Sequence, residues 1–188
     1  MKRSIPFASI LRVVVGLVFG AVPLFASEAS EIDATSSVTG DIDLVWHAGA
    51  IGVFDEESHD TFASIEGRWR RDWHGLSPWG GFTVSDAGVW FAGAGVIYDI
   101  RISPSLRLTL GSGPFYHTHH RHDDDLGLSL EFYSFAEASW VGKDGIRFGL
   151  RIGHLSNAGL GRENPGTETL SFVVSAPLER LIASSRNP

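Results

Sequence analysis

The chain of 188 residues carries a formal net charge of −7 and no cysteine, which excludes a disulfide framework and a thiolate metal site and argues against nucleic acid as a partner, since phosphate binding calls for a basic face. Its 22 glycines and 11% aromatic content suit a glycine-rich, aromatic-banded β protein better than a helical one. After residue 30 the sequence offers no run of about 20 apolar residues, so a mature chain that spans a membrane must do so as a closed barrel.

Residues 1–29 form the first element. Met1, Lys2 and Arg3 open it, Arg12 is its last basic residue, and an apolar run follows from Val13 to Ala26. This is the pattern of an export signal, too short and too weakly flanked for a spanning helix, with cleavage expected after Ala26 or Ala29. Without this signal roughly 160 residues remain, the size of one domain, of which residues 30–40 make an N-terminal segment.

A spanning strand needs roughly 9 to 11 residues with apolar side chains on alternate positions, because only one face meets lipid. From Asp41, the residues Ile42, Leu44, Trp46, Ala48 and Ala50 alternate with Asp43 and His47. Thr61 to Trp69 sets Ala63, Ile65, Gly67 and Trp69 against Ser64, Glu66 and Arg68. Leu76 to Ser85 and Ala87 to Ile102 read as the third and fourth strands, with Gly93 and Gly95 blurring the pattern. Ser105 to Phe115 is cleaner, with Leu106, Leu108 and Leu110 between Arg107, Thr109 and Gly111.

Leu126 to Trp140 turns Leu128, Leu130, Phe132, Ala136 and Trp140 outward and Glu131, Tyr133, Glu137 and Ser139 inward. Gly145 to Ser156 turns Ile146, Phe148, Leu150 and Ile152 outward and Arg147 and Arg151 inward, so Glu131 and Glu137 are expected to pair with these two arginines inside a filled barrel. Thr167 to Leu178 sends Leu170, Phe172, Val174, Ala176 and Leu178 outward. The expectation is an all-β, eight-stranded antiparallel transmembrane β-barrel over residues 41–178, with a C-terminal tail at 179–188. If the barrel starts on the periplasmic side, the connections near Asp72, Pro104 and Lys143 are periplasmic. Those near Glu56, His119 and Arg162 are external.

Three polar residues interrupt the apolar stripe of the last hairpin. His154 and Ser156 share the parity of Ile152, and Glu168 shares that of Leu170, so all three are expected on the lipid-facing side near the outer end. A serine hydroxyl is a poor nucleophile until an imidazole takes its proton, and a carboxylate fixes the tautomer of that imidazole. The trio therefore admits a serine-hydrolase relay. It equally admits three interfacial residues at a barrel rim, and parity alone leaves both readings open.

The run His154-Leu155-Ser156-Asn157-Ala158-Gly159-Leu160, followed by Asn164-Pro165-Gly166 and Glu168, resembles the active-site segment of the lipid A 3-O-deacylases of the PagL type. The likeness extends to the eight-strand layout and to Asp124-Asp125-Leu126-Gly127 through Phe132. It implies a cofactor-free hydrolysis of the ester at position 3 of lipid A, releasing a 3-hydroxy fatty acid in the outer leaflet of the bacterial outer membrane. By position it implies Ser156 as nucleophile, His154 as base and then acid, and Glu168 as the orienting carboxylate, with Asn157, Gly159 and Asn164 supporting the oxyanion. The partners implied are lipopolysaccharide and outer-membrane lipids, and a homodimer stays open. The tail departs from the pattern, because outer-membrane barrels usually stop at an aromatic residue, whereas here Leu178 is followed by Glu179 to Pro188.

Rival readings attach to other features. His117, His119, His120 and His122 with Asp123, Asp124 and Asp125 are of metal-ligand type, but they fall in an expected external loop, where a solvated segment is the simpler reading and no metal is expected. A non-enzymatic structural or adhesive barrel, and an outer-membrane phospholipase with a lipid-side His-x-Ser pair, are the alternative functions. Phospholipases of that kind resemble larger, twelve-stranded chains, and the absence of Gly-x-Ser-x-Gly disfavours an α/β-hydrolase.

Overall fold

The computed structural model describes residues 42–54, 60–70, 75–118, 128–143, 145–161, 164 and 166–186. The expected export signal and N-terminal segment lie outside these residues, as do positions 119–127 and Arg162. Eight strands follow in order: β1 (Ile42–Ile51), β2 (Asp60–Trp69), β3 (Leu76–Ser85), β4 (Trp90–Arg101), β5 (Leu106–His117), β6 (Leu130–Val141), β7 (Arg147–Ser156) and β8 (Thr167–Pro177). Each pairs antiparallel with the next, and β8 returns to β1 from Ile51↔Thr169 to Asp43↔Pro177, which closes the barrel. Closure leaves no edge strand, so the backbone donors and acceptors of each strand pair with a neighbour on both sides without water.

The alternation read from the sequence is the alternation of the wall. On β6, Glu131, Tyr133, Phe135, Glu137 and Ser139 are buried inside, while Leu130 and Trp140 are exposed outside. Trp46, Ile65, Trp69, Phe82, Val96, Tyr98, Leu110, Phe148 and Phe172 are likewise exposed on the outer face. So much contiguous apolar surface is stable against hydrocarbon and would be a liability in water.

Several boundaries differ from the parity reading. β4 starts at Trp90 because residues 86–89 make a turn, with Gly88 at φ 81° and the Ser85 amide donating to Val89 O at 2.9 Å. β6 starts at Leu130, four residues later than expected. β8 ends at Pro177, and Leu178 opens a helix, α1 (Leu178–Arg186), that packs against the ends of β1 and β8. Glu179 in its first turn is well placed against the positive end of the helix dipole.

The interior is filled in layers. Toward the outer end Trp79, Phe91, Phe115, Tyr133, Phe135 and Leu155 pack together. Of the two glycines that blur the alternation of β4, Gly93 is an inward position beneath these rings, where a Cβ would meet Phe115 at 2.3 Å; Gly111 on β5 is another such position, where a Cβ would meet the Phe135 ring at 2.4 Å. Below the rings lies a charge cluster. Arg151 donates from Nη1 to Glu66 Oε1 at 2.6 Å and from Nη2 to Glu66 Oε2 and Glu137 Oε2, each at 2.9 Å, and Arg68 donates from Nη2 to Glu137 Oε2 at 2.6 Å. The guanidinium of Arg151 also lies 4.0 Å from the centre of the Phe135 ring, which couples the two layers.

The expected pairing of Glu137 with Arg151 is therefore present, but that of Glu131 with Arg147 is not. Arg147 stands opposite Val141 at the other end of β6 and pairs with Asp99 at 2.9 Å. Glu131 is ten residues up the strand from Val141, a separation of roughly 33 Å at about 3.3 Å per residue. Charge sign and parity were right there, and register decided otherwise.

Candidate active site

β7 and β8 pair in a register that sets His154 directly opposite Glu168. Their flanking residues Leu155, Thr167 and Thr169 are buried inward, so both polar side chains stand on the outer wall. Directly opposed Cβ atoms lie about 4.5–5.5 Å apart, which lets the two heads meet: His154 Nδ1 is 3.4 Å from Glu168 Oε1. The imidazole is half exposed and the carboxylate about one-third exposed. Ser156 ends β7 two residues beyond His154, on the same face and opposite Phe132, about 7 Å along the strand.

Gly166, at φ +63°, is part of the same geometry. A Cβ there would lie 3.0 Å from His154 Cε1 and 3.5 Å from His154 Nε2, so the imidazole rests over the backbone of this glycine. With Glu168 at Nδ1, the ring is bounded on two sides.

The segment after Ser156 is a tight turn. Ala158 at φ 54° and Gly159 at φ 77° both lie in the left-handed region, and the Leu160 amide donates to Asn157 O at 3.0 Å, as in a type I′ turn. For a residue with a side chain this conformation costs roughly 1–2 kcal/mol, so Ala158 is held there by its surroundings. Asn157 does much of the holding. It is fully buried, its Oδ1 accepts from the Gly159 amide at 2.9 Å, and its own amide donates to Asn164 Oδ1 at 3.0 Å. Asn157, Gly159 and Asn164 are thus brought together, and the amides of Asn157 and Gly159 are engaged in shaping the turn. Among the described residues the Ala158 amide, between them, has no partner.

Sequence reasoning missed Gly166 as a support for the ring, and it missed Ser134, which register sets opposite His154 on β6. A parity count assigns faces and not cross-strand partners, so neither was visible.

The histidine run is partly displaced from its expected place. His117 is the last residue of β5, buried inside the barrel, with Nε2 donating to Leu128 O at 2.8 Å and the ring 5.4 Å from that of Phe91. Its parity, continuous with Thr109 and Phe115, turns it inward and away from any external loop. His119, His120, His122 and Asp123 to Asp125 lie outside the described residues, and among the described residues no three His, Asp or Glu side chains form a metal-binding group.

A half-exposed imidazole beside a carboxylate, with a hydroxyl next to it on one lipid-facing wall, has the components of acyl transfer: proton acceptor, orienting anion and nucleophile. Comparison with known proteins points the same way. The family profile described as Lipid A 3-O-deacylase (PagL) matches residues 56–177. Over 186 residues, 95% of this chain and 100% of the relative, the chain is 26% identical to the lipid A deacylase PagL of Pseudomonas aeruginosa. The crystal structure of the outer membrane enzyme PagL is similar with a TM-score of 0.58 and 25% identity, covering 72% of this chain and 99% of that one. Neisserial surface protein A shares the fold at a TM-score of 0.55 and 12% identity, over 73% of this chain and 97% of its own.

Proposed function

The chain belongs to the lipid A 3-O-deacylase (PagL) family of outer-membrane β-barrels, and from that premise we propose that it cleaves the 3-O-linked acyl ester of lipid A as a serine esterase working at the outer leaflet. His154, Ser156 and Glu168 are the residues assigned to the chemistry. The observation that carries the assignment is the 3.4 Å approach of His154 Nδ1 to Glu168 Oε1 on the outer wall, with Ser156 on the same face.

In this reading the ester reaches Ser156 from the side, through the lipid, while the saccharide stays at the membrane surface. Ser156 Oγ attacks the acyl carbonyl as His154 Nε2 takes its proton, and Glu168 holds the Nδ1–H and stabilises the imidazolium. The tetrahedral oxyanion is received by the amide of Ala158, two residues past the nucleophile, and Asn157, Gly159 and Asn164 hold that amide in place. One such donor is typically worth about 3–4 kcal/mol of transition-state stabilisation. Collapse breaks the C–O bond to the sugar, His154 returns the proton to the leaving oxygen, and water, deprotonated by the same imidazole, then cleaves the acyl-enzyme. The products are a free fatty acid and a lipid A bearing a hydroxyl at position 3. No cofactor has a role in these steps.

The test is expression in a Gram-negative host followed by mass spectrometry of lipid A. The wild-type chain should remove one acyl chain, and Ser156→Ala and His154→Ala should insert equally well yet leave lipid A at full acylation. Loss of the chain in cells carrying either variant would defeat the residue assignment.

A further inference from the structure

Two hydroxyls that the chemistry above does not use stand in line with the His154–Glu168 pair. Register joins Ser112 on β5 to Ser134 on β6, Ser134 to His154 on β7, and His154 to Glu168 on β8. Ser112 and Ser134 are both exposed on the outer wall, and their hydroxyl oxygens are 2.9 Å apart. Beyond Ser112 the row meets Val96 on β4, and the row beneath it is apolar throughout: Leu110, Ala136, Ile152 and Leu170. The polar row thus runs two strands past His154, about 10 Å at the usual interstrand spacing, and stops.

A pair of seryl hydroxyls satisfies only part of its own capacity. One donates to the other, which leaves one O–H and three lone pairs without a partner. In hydrocarbon there is no water to take them, so a hydroxyl pair on this wall is matched only by polar atoms that arrive at the same depth. Acylated saccharides bring such atoms: ring, amide and ester oxygens at the interface, with alkyl chains descending below them. Ala136, directly beneath Ser134 and flanked by Leu110 and Ile152, gives those chains an apolar surface immediately under the polar row.

We propose that Ser112 and Ser134 form a binding subsite for the saccharide, amide or ester oxygens of an acylated glycolipid, on the side of His154 away from Glu168. The subsite fixes where the polar part of the substrate lies along the wall, and so selects which of its esters meets Ser156. The proposal deepens the deacylase reading and rests on it.

The experiment uses the full chain in detergent micelles and two substrates, lipid A and 4-nitrophenyl dodecanoate, an ester of similar chain length without a sugar. The double variant Ser112→Ala/Ser134→Ala should lose about ten-fold or more in kcat/KM on lipid A, chiefly through KM, and several-fold less on the nitrophenyl ester. Ser134→Thr, which keeps a hydroxyl, should restore most of the difference. Parallel losses on both substrates would mean that the serines act only on the wall or the imidazole, and no loss on either would mean that they bind nothing; both results overturn the proposal. A second measurement separates it from the underlying reading: retention of lipid A by Ser156→Ala, with and without the two alanines. If the wild type cuts neither substrate, the deacylase reading fails, yet about ten-fold weaker retention in the triple variant still supports the subsite, and equal retention overturns it.

Discussion

Arg151 and His154 lie three residues apart on one strand and on opposite sides of the same wall. All three nitrogens of the Arg151 guanidinium are engaged, by Glu66 and by Glu137, and the group is fully buried. His154 has a single carboxylate, at 3.4 Å, and stands half exposed. Both sites put charge-bearing groups in a membrane barrel, where uncompensated charge is expensive. In the cluster around Arg151, two arginines face two glutamates and their charges cancel. Outside, the polar row keeps capacity for further partners, and that reserve is what a substrate can use. Under the proposed function, burial with paired charge belongs to scaffolding, and incomplete pairing at the lipid face belongs to chemistry.

That contrast fails first, and most visibly, if Ser156 matters to the wall. Replacing it with alanine should lower the deacylation rate roughly 10⁴-fold or more, the usual scale for loss of a nucleophile, while heat-dependent gel mobility and urea midpoint stay at wild-type values. A lowered midpoint would place Ser156 with the scaffold. The converse variant is Arg151→Met, which leaves Glu66 and Glu137 sharing Arg68. Breaking a buried pair from one side costs about 3–5 kcal/mol, so urea unfolding should shift by that amount. Activity per folded molecule should stay close to wild type.

The two regions were unequally legible in the sequence. Eight strands and the outward face of His154, Ser156 and Glu168 follow from a period of two, which survives errors of several residues at strand ends; β4 and β6 begin three and four residues late with no side chain changing face. The charge cluster depends on register, which parity does not carry: parity turns Glu131, Glu66 and Arg68 inward but names no partners, and register sends Glu131 to the far end of the barrel from Arg147 while Glu66 meets Arg151 and Arg68 meets Glu137. Ser112 and Ser134 were hidden for the same reason. Nothing in either residue's neighbourhood along the chain distinguishes it until β5, β6 and β7 are laid side by side. The helix after Pro177 falls in the expected C-terminal tail, because strand alternation ceases there and alternation carries no helical period.

Within the outer row the members should not weigh equally. In the proposed relay Glu168 would touch neither the ester carbon nor the leaving oxygen; its part would be to align His154, a task that the packing of the ring over Gly166 would share. Glu168→Ala should therefore retain at least ten-fold more activity than Ser156→Ala, with the loss in kcat and little change in KM. Rates measured on one micellar substrate decide it. Equal or greater loss would mean that the carboxylate does more than orient.

A carboxylate in a third setting, the water-exposed rim, gives the smallest effect and sharpens the rule. Asp86, in the turn between β3 and β4, accepts the Thr61 hydroxyl at 2.7 Å and the Thr61 amide at 3.0 Å, and its own amide donates to Thr61 O at 2.9 Å. The Thr61 hydroxyl, foremost, holds the Asp86 carboxyl below its ordinary value. Because the folded group is the stronger acid, its contribution is complete above the ordinary carboxylate range, near pH 4, and is lost as pH falls through the lower folded value. Full exposure to water screens it, so the effect should be local. The protection factor of the Thr61 amide in hydrogen exchange should fall below about pH 4 in the wild type and be low and flat in Asp86→Asn, with the urea midpoint unchanged. If the variant kept the wild-type pH dependence, another group would be holding the turn, and a well-partnered carboxylate would not imply a local structural role outside the membrane as it does within it.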